Sequence, residues 1–144
     1  MDKQHAGVTV IELLIVISIV AILGASTAPF LINFIQRTQL DTTVDSVIGT
    51  IRKAQGNAIT GKLDTAWGAC LYNGDTIRLY NDTCVSSTVK EDFTVPGTIT
   101  IIGFNDTTFS KGRGEPSIPL SITISSSYDS NTITVNEAGG MKIE

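Results

Sequence analysis

The stretch GVTVIELLIVISIVAILGASTAPFLINFI, residues 7–35, carries a single charge, Glu12, near the start of a run that is otherwise suited to lipid. From Leu13 to Ile35 there are 23 residues without a charge. As a helix rising ~1.5 Å per residue, that run reaches about 34 Å, enough for a hydrocarbon core of about 30 Å. A cleavable secretory signal has an apolar stretch of roughly 7–15 residues ending at an A-x-A-like site, so this run is too long for one. Neither cysteine lies near it, which argues against a lipoprotein anchor. A plain single-span anchor would need no Glu12.

An ionised carboxylate in a bilayer costs a few kcal/mol on insertion scales, so such groups have a partner and a task. The segment itself holds no cation; Lys3 and His5 lie upstream, beyond Ala6-Gly7. A cut after Gly7 would give Val8 an α-ammonium group one helical turn from Glu12, available also to the Glu12 of a neighbouring chain.

The rest of the chain narrows the function classes. With 144 residues, 15.3 kDa and 42% hydrophobic content concentrated in the N-terminal quarter, there is room for one small domain beside the apolar segment, which excludes a two-domain enzyme. The formal charge is −4 and the pI about 4.9, and from Gln36 onward nine Lys/Arg face twelve Asp/Glu. That balance gives no general attraction to nucleic acid or anionic lipid.

The order Gly7-Val8-Thr9-Val10-Ile11-Glu12-Leu13-Leu14 after a short polar leader resembles the type IV prepilin signal. The resemblance implies that the leader, residues 1–7, stays cytoplasmic and that a prepilin peptidase cuts after Gly7. It also implies that Val8 becomes N-methylated and that Glu12 pairs with a neighbour's N-terminal amine during filament assembly. The implied partners are other pilins or pseudopilins, the peptidase, an inner-membrane assembly platform and membrane lipid. Two departures are visible: Val8 where Phe is commonest, and an Asp2 that offsets Lys3 in the leader.

Past Asn33 the apolar positions Leu40, Val44, Val47, Ile48, Ile51, Ala54, Ala58 and Ile59 form one stripe at spacings of three and four, and Gly61 is a natural terminator. The pattern predicts one helix from Thr9 to Thr60, about 78 Å long. Its first half, residues 8–35, is the membrane and assembly half; its second, 36–61, is amphipathic. Pro29 cannot donate to the Ala25 carbonyl, and Gly24-Ala25-Ser26-Thr27 is poor in strong helix formers, so a kink or loosened turn is expected there.

After Gly61 come short Thr/Ile/Val-rich segments divided by turn residues, a β-rich head over 62–144. ACLYNGDTIRLY (69–80) has Asn73-Gly74 between apolar runs, a hairpin signal. Further strands are expected at TITIIGF (98–104), LSITISS (120–126) and NTITVNE (131–137). Leu120, Ile122 and Ile124 alternate with Ser and Thr, giving one buried face and one wet face. The expected fold is α+β, a long helix packed on a small antiparallel sheet or sandwich.

Cys70 and Cys84 lie outside the cytoplasm in this reading, where a disulfide is the expected state and two free buried thiols the alternative. Closing a loop of this size stabilises by about 3 kcal/mol in the chain-entropy model. Two-residue turns at Asn73-Gly74 and Asn81-Asp82 would pair Cys70 with Ile77 and Cys84 with Leu79, so a bridge needs a less regular register.

Catalytic candidates are nearly absent. The one histidine, His5, lies in the leader, which removes Ser-His-Asp, Cys-His and His-containing zinc sites from the mature chain. Glu91-Asp92 reads as a solvated turn rather than a paired-carboxylate site. Asp64, Asp75, Asp82, Asp106 and Asp129 lack the spacing of a calcium loop, and KGRGEP (111–116) matches no phosphate-binding motif. Neither cofactor nor metal is expected. N-D-T triplets begin at Asn81 and Asn105.

IRKAQGNAITGK (51–62), Cys70, FSKGRGEP (109–116) and ITVNEAGGMKI (133–143) resemble minor pseudopilins and pilins of the GspH/FimT type. The resemblance implies an H-type minor subunit of a type II secretion pseudopilus or a related type IV pilus. In the DNA-uptake members of that group, a G-R-x-R signature near the C-terminus binds DNA. Here the matching stretch is Gly139-Gly140-Met141-Lys142, with Gly and Lys in place of the two arginines. Lys111, Arg113 and Lys142 are the candidate weak DNA contacts, with Glu115 and Glu144 close in sequence. The sequence therefore points to a structural filament subunit; a DNA-uptake or adhesive pilin and an unprocessed anchored head are the alternatives.

Overall fold

The computed structural model describes residues 8–144, apart from the side chains of 26–29. The expected leader, residues 1–7, lies outside the described residues. Two compact units divide the chain, one ending at Ile35 and the other Gln36–Glu144.

Helix α1 (Val10–Ile59) contributes to both. Thr9 starts it: its Oγ1 accepts from the Glu12 amide at 3.3 Å and its carbonyl from the Leu13 amide at 3.2 Å, the geometry of an N-cap. In the first unit every described side chain is exposed, and the most apolar window of α1 has a mean hydropathy of 2.4, so the helix is long and apolar enough to cross a membrane. Pro29 lies inside α1 as assigned, and its side chain is among those not described.

In the second unit the stripe Leu40, Val44, Val47, Ile48, Ile51, Ala54 and Ala58 is buried, as its periodicity requires. Ile59 departs from the expected stripe at 50% exposed: it is the last residue of α1, whereas Ile48 on nearly the same bearing is buried mid-helix. Gly61 ends the helix at φ 63°, with the Thr60 and Gly61 amides bonded to the Gly56 and Ala58 carbonyls.

Eight strands follow: β1 (Trp67–Tyr72), β2 (Thr76–Asn81), β3 (Lys90–Thr94), β4 (Thr100–Ile102), β5 (Thr107–Phe109), β6 (Leu120–Ser125), β7 (Ser130–Val135) and β8 (Met141–Ile143). They form two antiparallel four-stranded sheets, β3-β2-β1-β5 and β4-β6-β7-β8. The helical stripe, Trp67, Ala69, Ile77, Leu79 and Phe109 of the first sheet, and Leu120, Ile122, Ile124, Ile133 and Val135 of the second share one core. The α+β architecture agrees with the sequence reading. The expected strand at 98–104 shortens to Thr100–Ile102, and β3, β5 and β8 come from stretches in which no strand was expected.

Register is corrected at the first hairpin. Asn73 and Gly74 take φ of 53° and 82°, but three residues separate the paired Tyr72 and Thr76. The extra residue, Asp75, gives its carbonyl to the Val95 amide at 2.7 Å. Cys70 therefore pairs with Arg78 instead of Ile77, and Leu79 pairs with Glu91 instead of Cys84. Because strand side chains alternate, that one-residue step puts Cys70 and Arg78 together on the face of the first sheet away from Ala69 and Leu79.

Candidate functional site

The N-terminal site is built by the first turn of α1. Thr9 and Glu12 stand in the S/T-x-x-E pattern of a capping box, with Glu12 at the third helical position, where unpaired backbone amides and the helix dipole favour a carboxylate. Thr9 is a residue that the sequence reading left without a role, although that four-residue pattern was the available signal. Val8 is 73% exposed, and Glu12 has no ion-pair partner among the described residues. The carboxylate thus stands on a capped first helical turn, without an ion-pair partner among the described residues, beside a long exposed apolar surface.

Cys70 and Cys84 form the disulfide, with Cα atoms 6.3 Å apart. Cys70 is on β1 and Cys84 in the loop after β2, so the bridge ties that loop over the outer face of the first sheet. Beneath it Arg78 is 4% exposed. Its Nε and Nη2 donate to the two Asp92 carboxylate oxygens at 2.7 and 2.8 Å, its Nη1 donates to the Cys84 carbonyl at 3.0 Å, and its guanidinium lies 3.6 Å from the Tyr72 ring centre. Those hydrogen bonds hold the Asp92 carboxyl below its ordinary range and raise Arg78 further above its own. The expected solvated Glu91-Asp92 turn is therefore corrected: both residues are in β3, where Glu91 takes Lys53 at 2.6 Å and Asp92 takes Arg78. Nothing in the local composition of KEDFT announces this, since its partners come from another helix and strand.

On the same face Tyr80 leans over Gly68, where a Cβ would stand 2.4 Å from the phenol ring and 2.7 Å from the Thr107 carbonyl oxygen. Its hydroxyl donates to Asp106, and burial, ahead of that carboxylate, pushes the phenol's pKa upward. Asn81 is 2% exposed and its amide serves Thr88 and the Val89 amide, so the first N-D-T triplet presents no free acceptor.

The cations proposed for DNA are each matched with an anion. Lys111 pairs with Asp64, Arg113 with Glu115 at 3.5 Å, and Lys142 with Glu144. The Lys111 hydrogen bond keeps the Asp64 carboxyl below its usual range. Gln55, which the sequence reading quoted without assigning it a role, draws the two motif segments together: its Nε2 donates to the Gly114 carbonyl at 3.3 Å and to the Gly139 carbonyl at 2.8 Å. A Cβ on Gly139 would lie 2.8 Å from the Gly114 oxygen, so this contact requires glycine. KGRGEP and EAGG thus meet at the end of α1 through backbone carbonyls. Among the described residues no group of three or more His, Cys, Asp or Glu is placed to hold a metal.

Residues 2–28 match a family model described as the prokaryotic N-terminal methylation motif. That motif indicates the type IV pilin and pseudopilin family. The long helix followed by antiparallel sheets is consistent with a pilin fold. No curated protein and no solved structure matches the chain.

Proposed function

We propose that the protein is an H-type structural subunit of a type II secretion pseudopilus or related type IV pilus, cut by prepilin peptidase after Gly7 and N-methylated at Val8. The observation that carries this reading is Glu12: a carboxylate on the first turn of α1, whose backbone amide Thr9 caps, at the start of a helical segment in which every described side chain up to Ile35 is exposed, with no ion-pair partner among the described residues. A neighbour's amine at Val8 supplies that cation in lipid, where leaving the carboxylate alone is expensive. The reading places the apolar half of α1 in the bacterial inner membrane before assembly, with Pro29 as a point of helix loosening, and the head in the periplasm or outside the cell. Its partners are neighbouring pilins, the peptidase and the assembly platform. The anions on Lys111, Arg113 and Lys142 count against a DNA receptor.

Intact-mass measurement on sheared filaments tests the proposal. The expected species starts at methylated Val8, and Gly7→Arg leaves the leader in place. Glu12→Leu is expected to insert into membrane as well as wild type yet fall severalfold in filaments. Filament protein that retains residues 1–7, or equal incorporation of Glu12→Leu, overturns it.

A further inference from the structure

The two edges of the first sheet differ. Along β5 runs the segment 115–117: the Ser117 amide donates to the Thr108 carbonyl at 2.8 Å, and Phe109 bridges to Pro116. β3, at the other edge, has no such cover among the described residues. Its phase is set by the flanking bonds, Asn81 amide to Val89 carbonyl at 3.2 Å and Val95 amide to Asp75 carbonyl at 2.7 Å. Backbone groups alternate in direction along an antiparallel strand, so Glu91 and Phe93 turn theirs to β2 while Lys90, Asp92 and Thr94 turn theirs outward. All three are exposed, and β3 holds neither proline nor bulge. Charged side chains on an edge commonly fend off another strand. Here Glu91 is drawn back to Lys53 and Asp92 to Arg78, which leaves Lys90 as the charge of β3 without an ion pair among the described residues.

Beside this edge α1 and the sheet stand apart. A cleft of about 240 Å³ lies between them, with Gly49 and Lys53 on the helix side and Ile77, Leu79 and Phe93 on the sheet side. A Cβ built on Gly49 meets nothing within 4 Å, so packing within the unit does not require the glycine, although glycine weakens a helix interior relative to alanine. Glu91 and Phe93 pair with Leu79 and Ile77 and share the side of the sheet that faces α1. A strand added beyond β3 would therefore turn every second side chain toward the cleft, and the others toward the side of Lys90 and Asp92.

We infer that β3 takes up an extended peptide segment of a partner protein, which continues the four-stranded first sheet in its antiparallel sense. The outward amides and carbonyls require an extended occupant, the cleft selects apolar side chains at alternate positions, and Lys90 selects an acidic residue on the other side. The inference goes beyond the filament reading and does not depend on it, since every group it uses lies in the Gln36–Glu144 unit. A segment of sequence T-V-T-V-E-V-T meets these requirements: its first two threonines stand opposite Thr94 and Asp92, its glutamate opposite Lys90, and its valines face the cleft.

That peptide, blocked at both ends and fluorescently labelled, is the probe, titrated into the detergent-solubilised full-length protein. The expected result is saturable binding by anisotropy, with slowed amide hydrogen exchange at Lys90, Asp92 and Thr94 and little change at Glu91 and Phe93, whose amides already bond to β2. Thr94→Pro removes an outward amide and spares the bonds to β2, so it should weaken binding about tenfold. Gly49→Leu fills the cleft and should weaken it by a similar factor. A variant that loses the emission of buried Trp67 is replaced by its counterpart on the ligand: the peptide with proline for its second threonine, tested on the unsubstituted protein. No binding at millimolar peptide, equal binding of the proline peptide, or exchange slowed evenly along β3 would overturn strand addition. Binding unchanged in a folded Gly49→Leu would overturn the role of the cleft.

Discussion

In the second sheet β6 alternates, with Leu120, Ile122 and Ile124 buried and Ser121, Thr123 and Ser125 more open, whereas in the first sheet four successive residues of β1, Trp67 to Cys70, are all buried. β2 is like β1, buried from Ile77 through Asn81. The second sheet covers one face with the shared core and leaves the other wet, the usual economy of an antiparallel sheet. The first has a second cover: the loop tied by Cys70–Cys84, Arg78 held by Asp92, and Tyr80 laid over Gly68. A face closed by polar groups depends on each being satisfied, so substitutions there should cost more than those on the open face of its partner.

The largest effect is expected from removing the disulfide. Cys70→Ala with Cys84→Ala should lower the unfolding free energy by about 3 kcal/mol. Urea titration of the detergent-solubilised full-length protein, followed by emission of the single, fully buried Trp67, measures it. A loss below about 1 kcal/mol would mean that the loop stays closed without its bridge.

Asp92→Ala should cost about 2 kcal/mol, less than a fully buried pair because the Asp92 side chain is 36% exposed and partly screened. Since the native Asp92 carboxyl titrates below its ordinary value of 3.8, its contribution is fully present above that value and is lost as pH falls through the native value. The gap between wild type and Asp92→Ala should therefore be constant above about pH 5 and close below it. Acid titrations of both proteins check the sign; a gap that widens on acidification contradicts it.

Gly68→Ala should cost about 1–2 kcal/mol, because the Thr107 carbonyl is backbone and only the Tyr80 ring can yield. At the small end, Ser121→Ala on the open face of the second sheet should stay within about 0.5 kcal/mol. Thermal melts of the two variants side by side sharpen the contrast. Equal shifts would mean that the outer faces do not differ in the way their burial implies.

The length of the apolar run, the isolated charge at Glu12, the polar stretch before Gly7, the stripe from Leu40 to Ala58 and the alternation around Ile122 are all properties of neighbouring residues. The sequence by itself therefore determined a long N-terminal helix, its apolar first half and packed second half, and a β-rich head. Residues three or four apart on a helix, and two apart on a strand, share a face whatever lies beyond them. Where partners come from distant segments, only the tertiary structure decided. Asp75 as an extra hairpin residue moved Cys70 from Ile77 to Arg78. KEDFT became a strand because β2 offers it a ladder and because Lys53 and Arg78 meet its carboxylates. Gln55 gained its role from two carbonyls, 59 and 84 residues away. Such pairings depend on which polar groups remain unsatisfied once the core has closed, and no local pattern in the chain encodes that.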